Sequence, residues 1–162
     1  VLGGARSGKS AYAERLITAM PPPWTYLATG LGFDSEMRER IARHQARRGE
    51  GWRTLEEPCN IAPLIERLES PALIDCLTLW LTNLMLTGTD IKEETGRLIS
   101  AVKSAKAPLV FVSNEVGLGI VPDNALSREF RDHAGRVHQA VAAIANRAVF
   151  MVAGLPMVLK DD

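Results

Sequence analysis

Cysteine is scarce: Cys59 and Cys76 are the only two among 162 residues. Two cysteines make no disulfide framework, and a reduced, cytoplasmic setting is expected. Net charge is lacking as well. Nineteen Lys and Arg balance nineteen Asp and Glu. That balance argues against a protein that coats nucleic acid or an anionic membrane by bulk attraction. Long apolar runs are missing: the longest candidate, Ala148 to Val158, is broken by Gly154 and Pro156, so no membrane span is expected. Histidines are few and scattered (His44, His133, His138), without zinc-ligand spacing. There is no internal repeat and no low-complexity block.

What is present is an ordinary globular composition, 46% hydrophobic and 23% charged, enough for one domain with its own core. Short apolar runs alternate with amphipathic stretches, the pattern of a helix-covered, mainly parallel α/β sheet. Strands are expected at Trp24 to Ala28, Trp52 to Leu55, Ala72 to Cys76, Leu109 to Ser113, Ala148 to Ala153 and Met157 to Leu159. The last two flank Gly154-Leu155-Pro156 and read as a C-terminal β-hairpin. Helices are expected at Lys9 to Ala19, Ser35 to Arg48, Ile61 to Leu68, Leu79 to Leu86, Lys92 to Ser104 and Ala125 to Asn146. In the last, Leu126, Phe130, Ala134, Val137, Val141 and Ile144 form one expected buried face, with His133 and His138 beside it as structural residues. Trp80 and Leu84 suit either the core or an interface. Asp34 is expected to cap the second helix, and Asp123 or Asn124 the last.

Gly3-Gly4-Ala5-Arg6-Ser7-Gly8-Lys9-Ser10 fits G-x-x-x-x-G-K-[ST]. Glycines let the backbone close around a polyphosphate with its N–H groups inward. The helix that follows presents its positive end to the same anion. Lys9 would neutralise the β- and γ-phosphates, and the Ser10 hydroxyl would ligate Mg²⁺. This gives a P-loop NTPase-type fold with helices on both faces of the sheet, as a single nucleotide-binding domain over residues 1–162. Only Val1 and Leu2 precede the motif. They are expected to end a first strand that is truncated at the N-terminus. The start has neither the basic lead nor the long apolar region of a secretion signal.

A second acid should stand at the end of an apolar strand, and Ala72-Leu73-Ile74-Asp75 supplies it. Asp75 either holds Mg²⁺ through water or caps the next helix. The next residue is Cys76, not a glutamate that would activate water, which favours group transfer over hydrolysis. A guanine-reading Asn-Lys-x-Asp motif is absent.

Residues 38–53 carry six arginines (Arg38, Arg40, Arg43, Arg47, Arg48, Arg53) against two acids, Glu39 and Glu50. The local excess is +4, so the remainder of this neutral chain carries −4. On a helix, Arg40, His44 and Arg48 stack at successive turns. Guanidinium charge keeps the imidazole neutral and nucleophilic, able to form a phosphoramidate. A solvated basic helix with His44 at its border is the other reading of this spacing.

Several blocks together resemble the bifunctional adenosylcobinamide kinase/adenosylcobinamide-phosphate guanylyltransferase family of cobalamin biosynthesis. They are the phosphate loop, Tyr26-Leu27-Ala28-Thr29, Glu36-Met37 with Arg40-Ile41 and His44, Trp52-Arg53-Thr54, Val112 through Pro122, and Phe130-Arg131-Asp132 with Gly135-Arg136-Val137. They run in order over nearly the whole chain. The resemblance implies phosphorylation of the aminopropanol hydroxyl of adenosylcobinamide by GTP or ATP. It then implies transfer of GMP from GTP to that phosphate through a GMP–histidine intermediate. His44 takes the position of the guanylylated histidine, with Lys9 as the second catalytic residue. Gly3 through Ser10 bind nucleotide, with Arg40 and Arg53 as further phosphate contacts, and Ser10 and Asp75 hold Mg²⁺. Some relatives place Glu where this chain has Asp75, one methylene shorter. A homo-oligomer is implied too, with no nucleic-acid partner. The segment Asn114 to Pro122 is assigned to the active-site rim or a subunit contact. The alternatives are a monofunctional small-metabolite kinase, which needs Lys9, Ser10 and Asp75 but not His44, and a non-enzymatic nucleotide-binding module.

Overall fold

The computed structural model describes residues 1–30 and 49–162. The expected second helix with its Asp34 cap, and with it Arg40 and His44, lies outside the described residues.

Seven strands form one sheet: β1 (Leu2–Gly3), β2 (Trp24–Ala28), β3 (Trp52–Glu56), β4 (Ala72–Asp75), β5 (Leu109–Asn114), β6 (Arg147–Val152) and β7 (Leu155–Asp161). Their order is β3-β2-β4-β5-β1-β6-β7. All neighbours are parallel except the terminal pair β6–β7. The described helices are α1 (Lys9–Thr18), α2 (Ala62–Glu66), α3 (Leu77–Thr87), α4 (Ile91–Ser104) and α5 (Ala125–Ile144).

Buried parallel strands expose alternate residues to opposite faces, and here the alternation sorts the core into two layers. Tyr26, Leu73 and Val112 pack with Ala13 and Ile17 of α1. Their neighbours Leu27 and Ile74 pack instead with Ile65, Trp80, Leu84, Leu98 and Val137 of the other four helices. The sheet is therefore covered on both faces, as the sequence pattern implies. Trp80 and Leu84 belong to the core: both are buried, and Trp80 Nε1 donates to Cys59 O at 2.7 Å.

Three expectations need correction. Leu126 is 65% exposed, because the buried side chains of α5 are Ala134 and Val137 at mid-helix and its first turn faces solvent. The same helix stops at Ile144, two residues early, with Asn124 as its N-cap: Asn124 Oδ1 accepts from Ser127 N at 2.8 Å. The hairpin turn is shorter than expected. Ala153 (φ 51°) and Gly154 (φ 80°) make the turn, two left-handed residues whose twist matches the flanking strands. Leu155 and Pro156 already pair with Val152 and Met151, and proline is tolerated because β7 is an edge strand.

Candidate active site

The phosphate loop begins at the end of β1, which is held between β5 and β6. Gly3 is tightly enclosed: an added Cβ would stand 2.5 Å from Ser7 Oγ and 3.0 Å from Met151 O, so both would have to shift. Gly8 is the N-cap of α1 with φ 90°, a conformation that strains any residue with a Cβ. Arg6 also has positive φ, 54°. Non-glycine residues in this region concentrate at functional turns. The loop is fastened on three sides. Glu115 N donates to Gly3 O at 3.0 Å, Gly154 N donates to Ser7 O at 3.1 Å, and Tyr12 N donates to Gly8 O at 3.0 Å. The hairpin turn thus braces the loop from one side and β5 from the other.

Lys9 is buried, and its Nζ donates to Gly4 O at 3.1 Å. The ammonium group therefore lies folded over the loop's own backbone. Ser7 Oγ is buried without a protein hydrogen-bond partner, a costly state for a hydroxyl. Arg6 is exposed at the loop's crest, and Ser10 is half-buried in the first turn of α1.

Open α/β sheets place ligands at the carboxyl ends of their strands, and the remaining polar groups gather there. Asp75 ends β4, separated from β1 by β5 alone. Two strand spacings are about 9–10 Å, a gap suited to a hydrated ion with phosphate oxygens rather than to direct contact. Asp75 does not cap α3: the N-cap is Cys76, with no side-chain cap bond. Instead Asp75 Oδ2 accepts from Tyr26 OH at 2.9 Å. Asn114 ends β5 in the gap, in register with Gly3, and its Nδ2 donates to Thr78 Oγ1 at 3.0 Å. Behind Asp75, Thr29 Oγ1 accepts from Cys76 N and donates to Cys76 O, both at 2.8 Å. That clamp fixes the strand end that carries the carboxylate.

Gly3 through Ser10, Asp75, Tyr26 and Asn114 are thus at one edge of the sheet. Arg53 is not beside them. It lies exposed on β3, four strand positions from β1, roughly 19 Å away at 4.8 Å per strand. Tyr26 is not among the site residues expected from sequence, and Asn114 is expected only as the start of a segment at the active-site rim or a subunit contact. The local signals were membership of the Tyr26–Thr29 and Val112–Pro122 blocks and, for Asn114, its place after a strand end; strand order itself is invisible to local periodicity.

Among the described residues no three His, Cys, Asp or Glu side chains form a metal cluster. Ser10 and Asp75 are hard oxygen donors, and Mg²⁺ is held by one or two carboxylates plus waters and substrate phosphates. That donor set fits Mg²⁺.

The family described as cobinamide kinase / cobinamide phosphate guanyltransferase matches residues 1–159. The chain is 48% identical over 168 residues to the bifunctional adenosylcobalamin biosynthesis protein CobP of Pseudomonas aeruginosa, covering 100% of this chain and 96% of that protein. It is 40% identical over 178 residues to the bifunctional adenosylcobalamin biosynthesis protein CobU of Escherichia coli, and equally to that of Salmonella typhimurium. Both of these alignments cover 99% of this chain and 98% of the relative.

Proposed function

The chain belongs to the cobinamide kinase / cobinamide phosphate guanyltransferase family, and from that premise we propose that it performs both reactions on adenosylcobinamide at its phosphate loop. The observation that carries the reading is the fastened loop with Lys9 folded over it.

In the kinase step the aminopropanol hydroxyl of the corrinoid attacks the γ-phosphorus of GTP or ATP. A new O–P bond forms, the bond to the β,γ-bridging oxygen breaks, and the nucleoside diphosphate leaves. In the transfer step a ring nitrogen of His44 attacks the α-phosphorus of GTP and pyrophosphate leaves. The phosphate of adenosylcobinamide phosphate then displaces the histidine, giving adenosyl-GDP-cobinamide and restoring the imidazole. Lys9 and the loop N–H groups hold the phosphates and stabilise the charge that grows on the leaving group.

Arg6 and Arg40 are the proposed neighbouring phosphate contacts, and Arg53 contacts the part of the ligand farthest from the loop. Ser10 and Asp75 would hold Mg²⁺, with Tyr26 orienting the Asp75 carboxylate. The ion supplies charge neutralisation on the phosphates. Asp75 is followed by Cys76 rather than by a glutamate that would activate water, which suits transfer.

Residues 1–162 act as one nucleotide-binding domain in this reading, supported by the single sheet. No helix among the described residues is long and apolar enough to cross a membrane, and we place the protein in the cytoplasm. A homo-oligomer is supported by exposed Leu118, Ile120 and Val121 beside the site.

The test uses GTP labelled on the α-phosphate. Denatured wild-type protein should carry acid-labile, base-stable label, and His44→Ala should carry none. Unlabelled wild type would overturn the transferase and leave the monofunctional kinase. Transfer of the γ-phosphate from nucleotide to adenosylcobinamide, followed separately, is predicted to persist in His44→Ala.

A further inference from the structure

Three polar side chains meet beneath the end of β5. Ser113 is 1% exposed and alternates with Val112, so it faces away from α1 and toward α5. Its Oγ is 2.7 Å from Nε2 of His138 on that helix. His138 Nδ1 is 3.7 Å from Glu115 Oε2. The other oxygen, Glu115 Oε1, accepts from Gly117 N. In the tautomer with the proton on Nδ1, Nε2 accepts from the Ser113 hydroxyl and the N–H side of the ring faces Glu115.

Serine, imidazole and carboxylate in this order look like the relay of a nucleophilic enzyme. Ser113 is 1% exposed and its hydroxyl is engaged with His138, so it is not presented as a nucleophile. What the relay holds is backbone. Ser113 N donates to Val1 O and Glu115 N to Gly3 O, both at 3.0 Å. Between them Asn114 pairs with Gly3 and reaches Thr78. The imidazole therefore grips both neighbours of Asn114 from one face, while the strand that feeds the phosphate loop is bonded to the same residues in the plane of the sheet. Burial of His138 lowers its pKa, which favours the neutral ring, to which Ser113 can donate its hydroxyl proton.

We propose that His138 is a positioning residue for the transfer chemistry: through Ser113 and Glu115 it fixes the end of β5, and with it Asn114 and Gly3, relative to the bound phosphates. The inference rests on the phosphate-loop reading above. It assigns His138 no contact with substrate.

The test compares the full chain with His138→Phe, which keeps a flat ring without polar atoms, and His138→Gln, whose amide oxygen can accept from Ser113. Two readouts are taken. The first is kcat and KM for GTP in guanylylation of adenosylcobinamide phosphate. His138→Phe should lower kcat by about ten- to a hundredfold, the scale of sub-ångström to ångström misplacement, with KM for GTP within about threefold. His138→Gln should recover most of the loss. The second is amide hydrogen exchange. In His138→Phe, exchange should accelerate at residues 113–117 and 3–8 but not in α1. Where His138→Phe does not fold, Ser113→Ala removes the same hydrogen bond and replaces it.

Unchanged exchange in these segments overturns the proposal, and so does faster exchange with unchanged kcat. A kcat loss no larger than the unfolded fraction also overturns it. A wild-type chain inactive in both transfers would overturn the functional reading instead, and the exchange contrast would then decide the relay by itself.

Discussion

Lys9 is buried, and burial of an ammonium group is costly unless partners offset it. Its hydrogen bond to Gly4 O keeps the charge at the loop, where phosphate oxygens would offset it further. His138 shows the opposite management of charge. Burial is the largest influence on it and lowers its pKa from the ordinary 6.5. The Glu115 carboxylate pulls the other way. The unfolded chain therefore binds this proton more readily than the folded one. Stability then rises with pH through the window between the lowered folded value and 6.5, and falls as pH drops below 6.5. Urea midpoints measured on both sides of that window should fall on acidification in wild type and stay nearly level in His138→Gln. Parallel curves would contradict the assignment. At this scale the phosphate loop was legible in the sequence, because its eight positions are contiguous and each has a stated job. His44 was ambiguous by spacing and acquired its role from resemblance. The Tyr26–Asp75 hydrogen bond spans 49 positions, so no local pattern announced it.

Among the elements, α3 shows how packing and site are joined. Its Trp80 is fully buried between the sheet and α2, α4 and α5. Its indole N–H holds Cys59 O, and Asn83 on the same helix donates to Thr29 O and Pro58 O. The helix thus anchors the segment after β3 and the end of β2, whose Thr29 clamps Cys76 behind Asp75. Trp80→Ala should cost about 3–5 kcal/mol of unfolding free energy, measured by chemical denaturation. A loss under about 1 kcal/mol would mean that the indole fills no tight core. Strand and helix existence was legible throughout the described residues, because burial alternation and helical spacing are local. Ends were less so. Leu126 kept the helical period but lost its partner surface, and the hairpin turn closed on Ala153 because paired strands, not proline, set its length.

For the molecule as a whole, strand order is what assembles the site, and the sequence did not reveal it. Placing β5 between β1 and β4 sets Asp75 two strands from Gly3 and inserts Asn114 between them. The zero net charge conceals a +4 segment at residues 38–53 and a −4 remainder. The proposed chemistry needs that cationic segment at the phosphates, with His44 presented to the α-phosphorus. The most direct measurement isolates wild-type protein labelled from α-labelled GTP, free of nucleotide, and adds adenosylcobinamide phosphate in a single turnover. The account predicts that label leaves the protein and appears in the corrinoid product as GMP is transferred. Label that stays on the protein, or is released as free GMP at the rate seen without corrinoid, would contradict it.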